Sequence, residues 1–395
     1  MCLIGVGLVP AYGLTWPEAL SLATQKNNQI LSARKQADAY QWSYYKSFSN
    51  FLPQVSANGS TGNSGGANSY SYGLSASQAI FKGMGNYFNM RSAAVNYDNA
   101  RASLQNTEAD VFYQVRQAFI DLLIAQQNFK VREKIRDSRA DTARMIKLFY
   151  GSGKEDKGNY LRSQAQLADA EFSIASAQRQ LDLARLKLAQ LLNVDATSAE
   201  GTPEARVTLL PNLDKLAKEA PSYLMAKYQL ELADLNLQDT WSEFLPSVSL
   251  NGSYSRSGVD WTPSNPSKSW SLSVSLPIFP GGSNFADRMI YGLQLDKARE
   301  DFKKSEKDIY YSIKDAYESL KDAIDSYSSQ KKYLDASSER SKIAQIKYLN
   351  GLTSYYEWDQ IQNEYINNQI GMLSADRNAL VAEANWYKSY GGYIK

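Results

Sequence analysis

The sequence lacks most of the side chains that carry out enzymatic chemistry. It contains no histidine and a single cysteine, Cys2. No Cys–His pair and no internal disulfide can therefore form, and a soft-ligand metal site is not expected. No GxxxxGK[ST] phosphate-binding loop occurs either,. We therefore expect no catalytic residues, no metal site and no cofactor, and the net charge of +2 gives no reason to expect nucleic acid as a partner.

Serine alternating with apolar side chains is the pattern that does stand out. SWSLSVSL, beginning at Ser269, and SVSLNGSY, beginning at Ser247, alternate strictly, while QVSANGS and YSYGLSASQAI repeat the pattern less cleanly. The pattern predicts strands at about 54–62, 70–80, 247–257 and 269–278. Strands of this length, with one apolar and one small polar face, are typical of membrane β-strands that face lipid on one side and water on the other. The alternative is a soluble ribbon that is half buried on a helix.

The elements that carry these strands occur twice. FLPQVSANGS begins at Phe51 and FLPSVSLNGS at Phe244, and the similarity extends over most of the chain. We predict a first structural repeat at 14–200, a second at 207–395 and a linker at 193–213. Each repeat is predicted to contain a helix, a β-hairpin, a long helix, a turn and a helix. The predicted helices cover about 16–49, 86–150, 159–192, 214–243, 284–349 and 355–387.

The long helices limit the architecture. No proline or glycine interrupts residues 86–150, and a helix of this size is about 100 Å long. Such a helix must pack sideways against other long helices. The fold is therefore expected to be mostly α with a small β part.

The N-terminus contains a short apolar run, CLIGVGLV. The run precedes Ala11–Gly13, a small-x-small site. Residues 1–13 are interpreted as a signal-peptide remnant, and the alternative is an ordinary buried N-terminal segment.

Four strands per chain are too few to close a membrane barrel. Backbone groups in lipid must all be paired, and the smallest barrels have about eight strands. Three chains would supply about twelve strands and a lumen, whereas two would supply about eight and a plugged interior. A function that needs a pore favours a homotrimer.

With these features the chain resembles the TolC-like outer-membrane efflux protein family over about 14–391. The resemblance rests on the duplicated unit, the two FLP phrases, the IF-plus-glycine hairpin ends, and the tip phrases YGSGKEDKGNYL and YLNGLTSYYEWDQ. It implies a trimeric 12-stranded outer-membrane β-barrel continuous with a 12-helix periplasmic α-barrel. The partners would be outer-membrane lipid, a periplasmic adaptor (membrane fusion protein) and an inner-membrane pump of RND, ABC or MFS type. The chain would be the passive exit channel of a tripartite efflux or type I secretion system.

The resemblance also assigns roles to residues near the two helix tips. Glu357 matches an acidic position of the family's periplasmic gate, Gln360 stands where the next acid is expected, Asp359 lies beside it, and Asn159 is the first-repeat counterpart of Glu357. The plain alternative is that these acids are solvated residues near a helix N-terminus. The adaptor-docking tips would be formed by Gly151, Gly153, Gly351, Leu352, Thr353 and Ser354. Glycine there also has a purely structural reason, since tight turns need it.

Four aromatic residues are candidates for contact with the membrane interface, namely Tyr70, Tyr72, Trp261 and Trp270,. The alternative for them is ordinary strand propensity. At the level of the whole chain, the alternative to a channel is a secreted trimeric coiled-coil stalk without a pore. An enzyme is not expected.

Overall fold

A computed structural model of the chain describes residues 13–195, 198–207 and 212–394. Cys2 and almost all of the interpreted signal remnant lie outside the described residues. So do residues 196–197 and 208–211 of the predicted linker.

The described residues fall into two compact units. The helical unit lies within Met1–Leu31, Asn106–Ala220 and Tyr310–Lys395, and the sheet unit lies within Ser32–Gln105 and Pro221–Ile309. Each unit draws on both halves of the chain.

The chain is mostly helical with one small sheet, as predicted. The first half contains α1 (Trp16–Lys26), α2 (Asn28–Ser47), a 3-10 helix (Phe48–Phe51), β1 (Gln54–Ser64), β2 (Ala67–Lys82), α3 (Gly85–Gly151) and α4 (Lys157–Leu192). The second half contains α5 (Leu213–Glu219), α6 (Pro221–Asp239), a 3-10 helix (Thr240–Phe244), β3 (Ser247–Gly258), β4 (Asn265–Ser275), α7 (Ser283–Leu349) and α8 (Tyr355–Ser389). The same order of elements therefore occurs in both halves.

The opening helix of each half is broken, where the sequence predicted one continuous helix. In the first half the break is at Asn27, whose side chain accepts hydrogen bonds from the backbone of Gln29 and Ile30 and donates one to the carbonyl of Leu191. In the second half Pro221 begins α6, because proline has no N–H to continue a helix and disfavours helical geometry in the residue before it,. The second break is thus set by local backbone chemistry, whereas the first also involves a hydrogen bond to a residue far along the chain.

The first hairpin is longer than predicted. Residues 63–69 were expected to form a loop, but β1 and β2 pair as far as Ser64 and Ala67. The turn consists of Gly65 and Gly66, with φ of 62° and 84°. Two consecutive residues with positive φ form the type I′ turn that matches the twist of paired strands, and glycine adopts it without strain. In the second hairpin β4 ends at Ser275 rather than 278, because Pro277 cannot donate to a ladder,.

The core of the helical unit surrounds Trp16 on α1. Its indole Nε1 donates to the carbonyl of Ile394 over 3.0 Å, and the Arg116 guanidinium lies 4.7 Å from its ring centre. Leu14 forms a parallel bridge with Ala199, so this part of the predicted linker is attached to the unit. Burial raises the pKa of the neighbouring Glu383, which accepts a hydrogen bond from the Arg206 backbone.

Candidate functional site

The sheet has two faces of opposite chemistry. Its order is β1-β2-β3-β4 and all pairs are antiparallel. Alternate residues point to opposite faces, so the register assigns every side chain. The serine face comprises Gln54, Ser56, Asn58, Ser60 and Gly62 on β1, Ala67, Ser69, Ser71, Gly73, Ser75, Ser77 and Ala79 on β2, Ser247, Ser249, Asn251, Ser253, Ser255 and Ser257 on β3, and Asn265, Ser267, Ser269, Ser271, Ser273 and Ser275 on β4.

The serine face is a continuous surface of hydroxyl and amide groups. Hydroxyls pair across strands at Ser56–Ser75, 2.8 Å apart, and at Ser253–Ser269, 2.7 Å apart. The only charged residue on this side is Lys82, which lies at the end of β2 opposite Ser247. The face is therefore wettable and nearly neutral.

The apolar face is exposed within the chain. Val55 is 70% exposed, Leu272 55% and Val274 66%. The face consists of Val55, Ala57, Gly59 and Thr61, Tyr70, Tyr72, Leu74, Ala76 and Gln78, Val248, Leu250, Gly252, Tyr254 and Arg256, and Pro266, Lys268, Trp270, Leu272 and Val274. An exposed apolar surface of this extent marks contact with a membrane or another protein.

Both edges of the sheet are open. Among the described residues, β1 pairs only with β2 and β4 pairs only with β3. The outer edges of β1 and β4 therefore present unpaired backbone groups, which favour pairing with another strand.

Three of the four predicted interface aromatics lie in the half of the sheet that ends in the hairpin turns, and the fourth, Trp270, lies in the middle of β4. Tyr70, Tyr72 and Trp270 are on the apolar face, and Trp261 lies in the turn between β3 and β4. The rings of Tyr70 and Trp261 meet edge to face at 5.4 Å. Trp261 and Trp270 are both highly exposed.

A second set of exposed aromatics at the other end of the strands was missed by sequence reasoning. It comprises Trp42, Tyr45, Phe48 and Phe51 before β1, and Trp241, Phe279 and Phe285 around β3 and β4. The Arg288 guanidinium stacks 4.0 Å from the Trp241 ring centre. The signal was present in WSYYKSFSN and TWSE, which stand directly before the two FLP phrases.

The two helix tips share one backbone design. In the first, Gly153 has φ of 76° and Lys154 N–H donates to the carbonyl of Phe149. In the second, Gly351 has φ of 72° and Leu352 N–H donates to the carbonyl of Lys347. This is the glycine-dependent helix end in which a left-handed residue redirects the chain.

The remaining tip residues have different roles. Gly151 is still helical, and a Cβ there would meet nothing within 4 Å. Ser354 caps α8 by accepting from the Glu357 backbone, as Asp156 caps α4 by accepting from the Asn159 backbone. Leu352 is 74% exposed. Positive φ therefore requires glycine at two tip positions, whereas Gly151 is free of that constraint.

Three of the four gate candidates lie at the surface or near it. Glu357 is exposed and accepts a hydrogen bond from the Thr353 hydroxyl over 2.6 Å. Gln360 is exposed. Asn159 is half-buried and its amide donates to Glu155 over 2.7 Å.

Asp359 differs from the other three because it is buried, with 1% exposed. Its carboxylate accepts from Arg139 Nη1 at 3.1 Å, from Arg162 Nη2 at 2.8 Å, and from Gln166 Nε2 at 2.9 Å. Arg139 also donates to Asn363. The carboxylate therefore joins α8 to α3 and α4 inside the helical unit and does not face solvent.

Aromatic side chains surround this carboxylate. Tyr348 stacks on Trp358 with ring centres 4.7 Å apart, and its hydroxyl donates to Glu155 over 2.7 Å. Burial, together with the hydrogen bond to Glu155, raises the pKa of Tyr348 above its usual range, and burial raises the pKa of Tyr355 to about 12. Both phenols are therefore neutral at physiological pH, and the cluster consists of packed aromatic rings beside the paired charges.

Comparison with known proteins identifies the family. The sequence profile described as "Outer membrane efflux protein" matches residues 19–194 and 212–392. The chain belongs to the outer membrane efflux protein family. It is a protein of the outer membrane, and family membership supports a role in efflux rather than a secreted stalk.

Individual relatives are similar to the chain at moderate identity. OprJ of Pseudomonas aeruginosa, an outer membrane protein, is 24% identical over 82% of this chain and 71% of its own length. SilC of Salmonella typhimurium, a probable outer membrane lipoprotein, is 23% identical over 60% of this chain. The match spans about half, 52%, of the length of SilC.

Solved structures share the fold. The MtrE outer membrane channel of Neisseria gonorrhoeae superimposes with a TM-score of 0.84, at 21% identity, over 95% of this chain and 89% of that one. Among the described residues, no helix is both long and apolar enough to span a membrane.

Proposed function

We propose that the chain is the passive outer-membrane exit channel of a tripartite efflux or type I secretion system and that it works as a homotrimer. The observation that supports this proposal is the open four-stranded sheet with one serine face, one exposed apolar face and two bare edges. Three copies would close a barrel of about twelve strands. The apolar faces would contact lipid and the serine faces would line the water-filled lumen.

A helix surface also favours neighbouring copies. Exposed apolar residues lie about three turns apart on α4 at Leu161, Phe172 and Leu183, with Leu186 beside them,. Other apolar residues of α4, such as Leu181 and Leu188, are buried within the chain. An additional exposed stripe on the same helix favours packing against another helix. In the proposed trimer, such helices would form a barrel of about twelve helices in the periplasm.

The repeat organisation is part of the proposal. The recurring element order supports a duplicated unit with repeats at 14–200 and 207–395 and a linker at 193–213. Duplication would explain why each half supplies one hairpin and four α-helices in the same order.

Disulfide cross-linking tests the pooling of strands between chains. With Cys2 replaced by serine, Val55→Cys on β1 is combined with one cysteine at a time on the apolar face of β4, at Lys268, Trp270, Leu272 or Val274. One combination is expected to give covalent trimers in detergent, because the closing pair places that residue beside Val55 of the next chain.

The matched control is Val55→Cys with Leu250→Cys, because Leu250 lies on inner strand β3 and cannot adjoin β1 of another chain. The purified protein is also expected to behave as a trimer in native mass spectrometry. A chain that stays monomeric and dissolves without detergent contradicts the proposal.

The helix tips are proposed to meet the periplasmic adaptor, which joins the channel to an inner-membrane pump of RND, ABC or MFS type. The proposed contact residues are Gly151, Gly153, Gly351, Leu352, Thr353 and Ser354. The free space around Gly151 and the exposure of Leu352 support this role. The two positive-φ glycines would shape the tips.

Glu357 is proposed to line the periplasmic gate, with Gln360 and Asn159 nearby. Its exposed carboxylate supports this role, and three copies around a narrow axis would attract cations,. Asp359 lies two residues further on in the same turn. Both of its carboxylate oxygens form ion pairs with arginines of the same chain. We assign it to holding the tip together instead.

Replacing Glu357 with glutamine is expected to lower the cation preference of the channel, because it removes one negative charge per chain from the constriction. The reversal potential of single channels in a salt gradient measures this preference. The converse variant, Gln360→Glu, adds a charge about one turn further along α8 and is expected to shift the potential the other way. An unchanged potential in Glu357→Gln would remove Glu357 from the gate.

A further inference from the structure

Charge is distributed unevenly over the four strands. Their only charged residues are Lys82, Arg256 and Lys268, and all three are cations. Arg256 and Lys268 lie on the apolar face, whereas Lys82 lies on the other face at the opposite end of the sheet. Cations on a face proposed to contact lipid need a specific reason, because charge is costly there unless it reaches a polar layer.

Arg256 and Lys268 form one cluster with two tyrosines. Arg256 stands opposite Tyr72, and Lys268 stands opposite Tyr254 in the next rung of the same face. Arg256 Nε donates to the Tyr254 hydroxyl over 3.0 Å, and Lys268 Nζ lies 5.8 Å from the Tyr254 ring centre. Among the described residues, neither cation takes part in an ion pair, and the groups that act on Arg256 are Tyr254 and Tyr72. The cluster is therefore positive and lacks a protein counter-ion.

The depth of the cluster follows from strand geometry. Val248 begins the apolar face on β3, and Arg256 lies about eight residues further, or ~26 Å along the strand,. With the usual tilt of about 40°, that distance corresponds to ~20 Å across the membrane. The apolar band of outer-membrane barrels is about 25 Å tall. Arg256 therefore lies at the edge of the band nearest the hairpin turns, at the level of the lipid headgroups. Lys268 stands opposite Tyr254, two residues or ~5 Å deeper across the membrane, and its side chain is long enough to extend to the same level,.

We propose that Arg256 and Lys268 bind the phosphate groups of phosphorylated glycolipid in the outer leaflet. This rests on the proposed function, in which the strand ends joined to helices face the periplasm and the hairpin turns face outward. Arginine and lysine are the side chains best suited to phosphate, and basic clusters beside the apolar layer bind anionic headgroups. Tyr72 and Tyr254 place apolar rings next to the acyl chains and hydroxyls near the headgroup.

Lipid titration of the purified full chain tests the proposal. Protein in neutral detergent is titrated with bis-phosphorylated lipid A, and the bound lipid is counted by native mass spectrometry. Each cation is expected to strengthen binding about fivefold, so Arg256→Gln combined with Lys268→Gln weakens it about 25-fold. Lipid A stripped of phosphate is expected to bind the wild type no better than it binds this double variant.

Two controls test whether lipid binding depends on positive charge at these two positions. Lys82→Gln removes a cation elsewhere in the sheet and is expected to leave lipid binding unchanged, while Arg256→Lys with Lys268→Arg retains it. Equal binding of phosphorylated lipid by the wild type and the double glutamine variant overturns the proposal. So does equal binding of the two lipids by the wild type. Bilayer conductance of the wild type and of the double variant is measured in parallel. Failure of the proposed channel function would appear as absent conductance in both proteins, whereas failure of the lipid proposal alone would leave conductance intact.

Discussion

Replacing Asp359 with alanine is expected to lower the free energy of unfolding of the helical unit by about 3–5 kcal/mol. The carboxylate is buried and is held by Arg139, Arg162 and Gln166. Its removal leaves Arg139, which is also buried, without a counter-charge. Leaving one charge of a buried pair unpaired costs far more than losing a surface ion pair, which contributes about 1 kcal/mol or less.

Hydrogen exchange measures this loss where it occurs. Backbone amides of α4 and of the first turns of α8 are expected to lose protection in Asp359→Ala, because the carboxylate joins these helices to α3. Glu357→Gln is the matched control, since it changes an exposed acid in the same turn and is expected to shift stability by less than about 0.5 kcal/mol. Equal effects of the two substitutions would contradict the structural role of Asp359.

Arg162→Ala is expected to destabilise the helical unit less than Asp359→Ala does. The Arg162 side chain is 41% exposed, so water can replace part of the hydrogen bonding and charge that it provides to Asp359. We therefore attribute most of the loss in Asp359→Ala to the unpaired Arg139. The difference between the two arginines comes from burial and not from distance, since both lie within about 3 Å of the carboxylate,.

The location of Asp359 was only partly readable from the sequence. Tyr355, Trp358 and Asp359 are spaced at i, i+3 and i+4, which places them on one face of α8. That spacing could have predicted that the carboxylate points into an aromatic cluster. Its arginine partners, however, are supplied by α3 and α4, and nothing in one sequence specifies which distant cations meet a given acid.

Other features were predictable to different degrees. Serine–apolar alternation predicted the strands because it is a local pattern with a fixed period. The break at Asn27 was not predicted, because it depends on a hydrogen bond to Leu191 from the far end of the same half. The predicted strands ended at about 62 and resumed at about 70, although the consecutive glycines Gly65 and Gly66 between them also predict a two-residue turn,.

The largest functional effect is expected when one positive charge is placed on one or the other face of the sheet at β4. Ser271 and Leu272 are neighbours in sequence and lie on opposite faces of the sheet, near the middle of the apolar band. Leu272→Arg places a guanidinium toward lipid, which costs about 2–4 kcal/mol per chain at mid-membrane depth. Ser271→Arg places the same group among hydroxyls in the proposed lumen, where water solvates it.

The two variants should therefore fail in different ways. Leu272→Arg is expected to reduce insertion, measured as the fraction of protein recovered in the outer membrane and the fraction that resists urea extraction. Ser271→Arg is expected to insert normally and to conduct with a reversal potential shifted toward anion preference, since each trimer gains three positive charges in a nearly neutral lumen. The reverse outcome would assign the serine face to the outside. Equal tolerance at both positions would mean that neither face contacts lipid, because only a membrane distinguishes two adjacent residues of one exposed strand in this way.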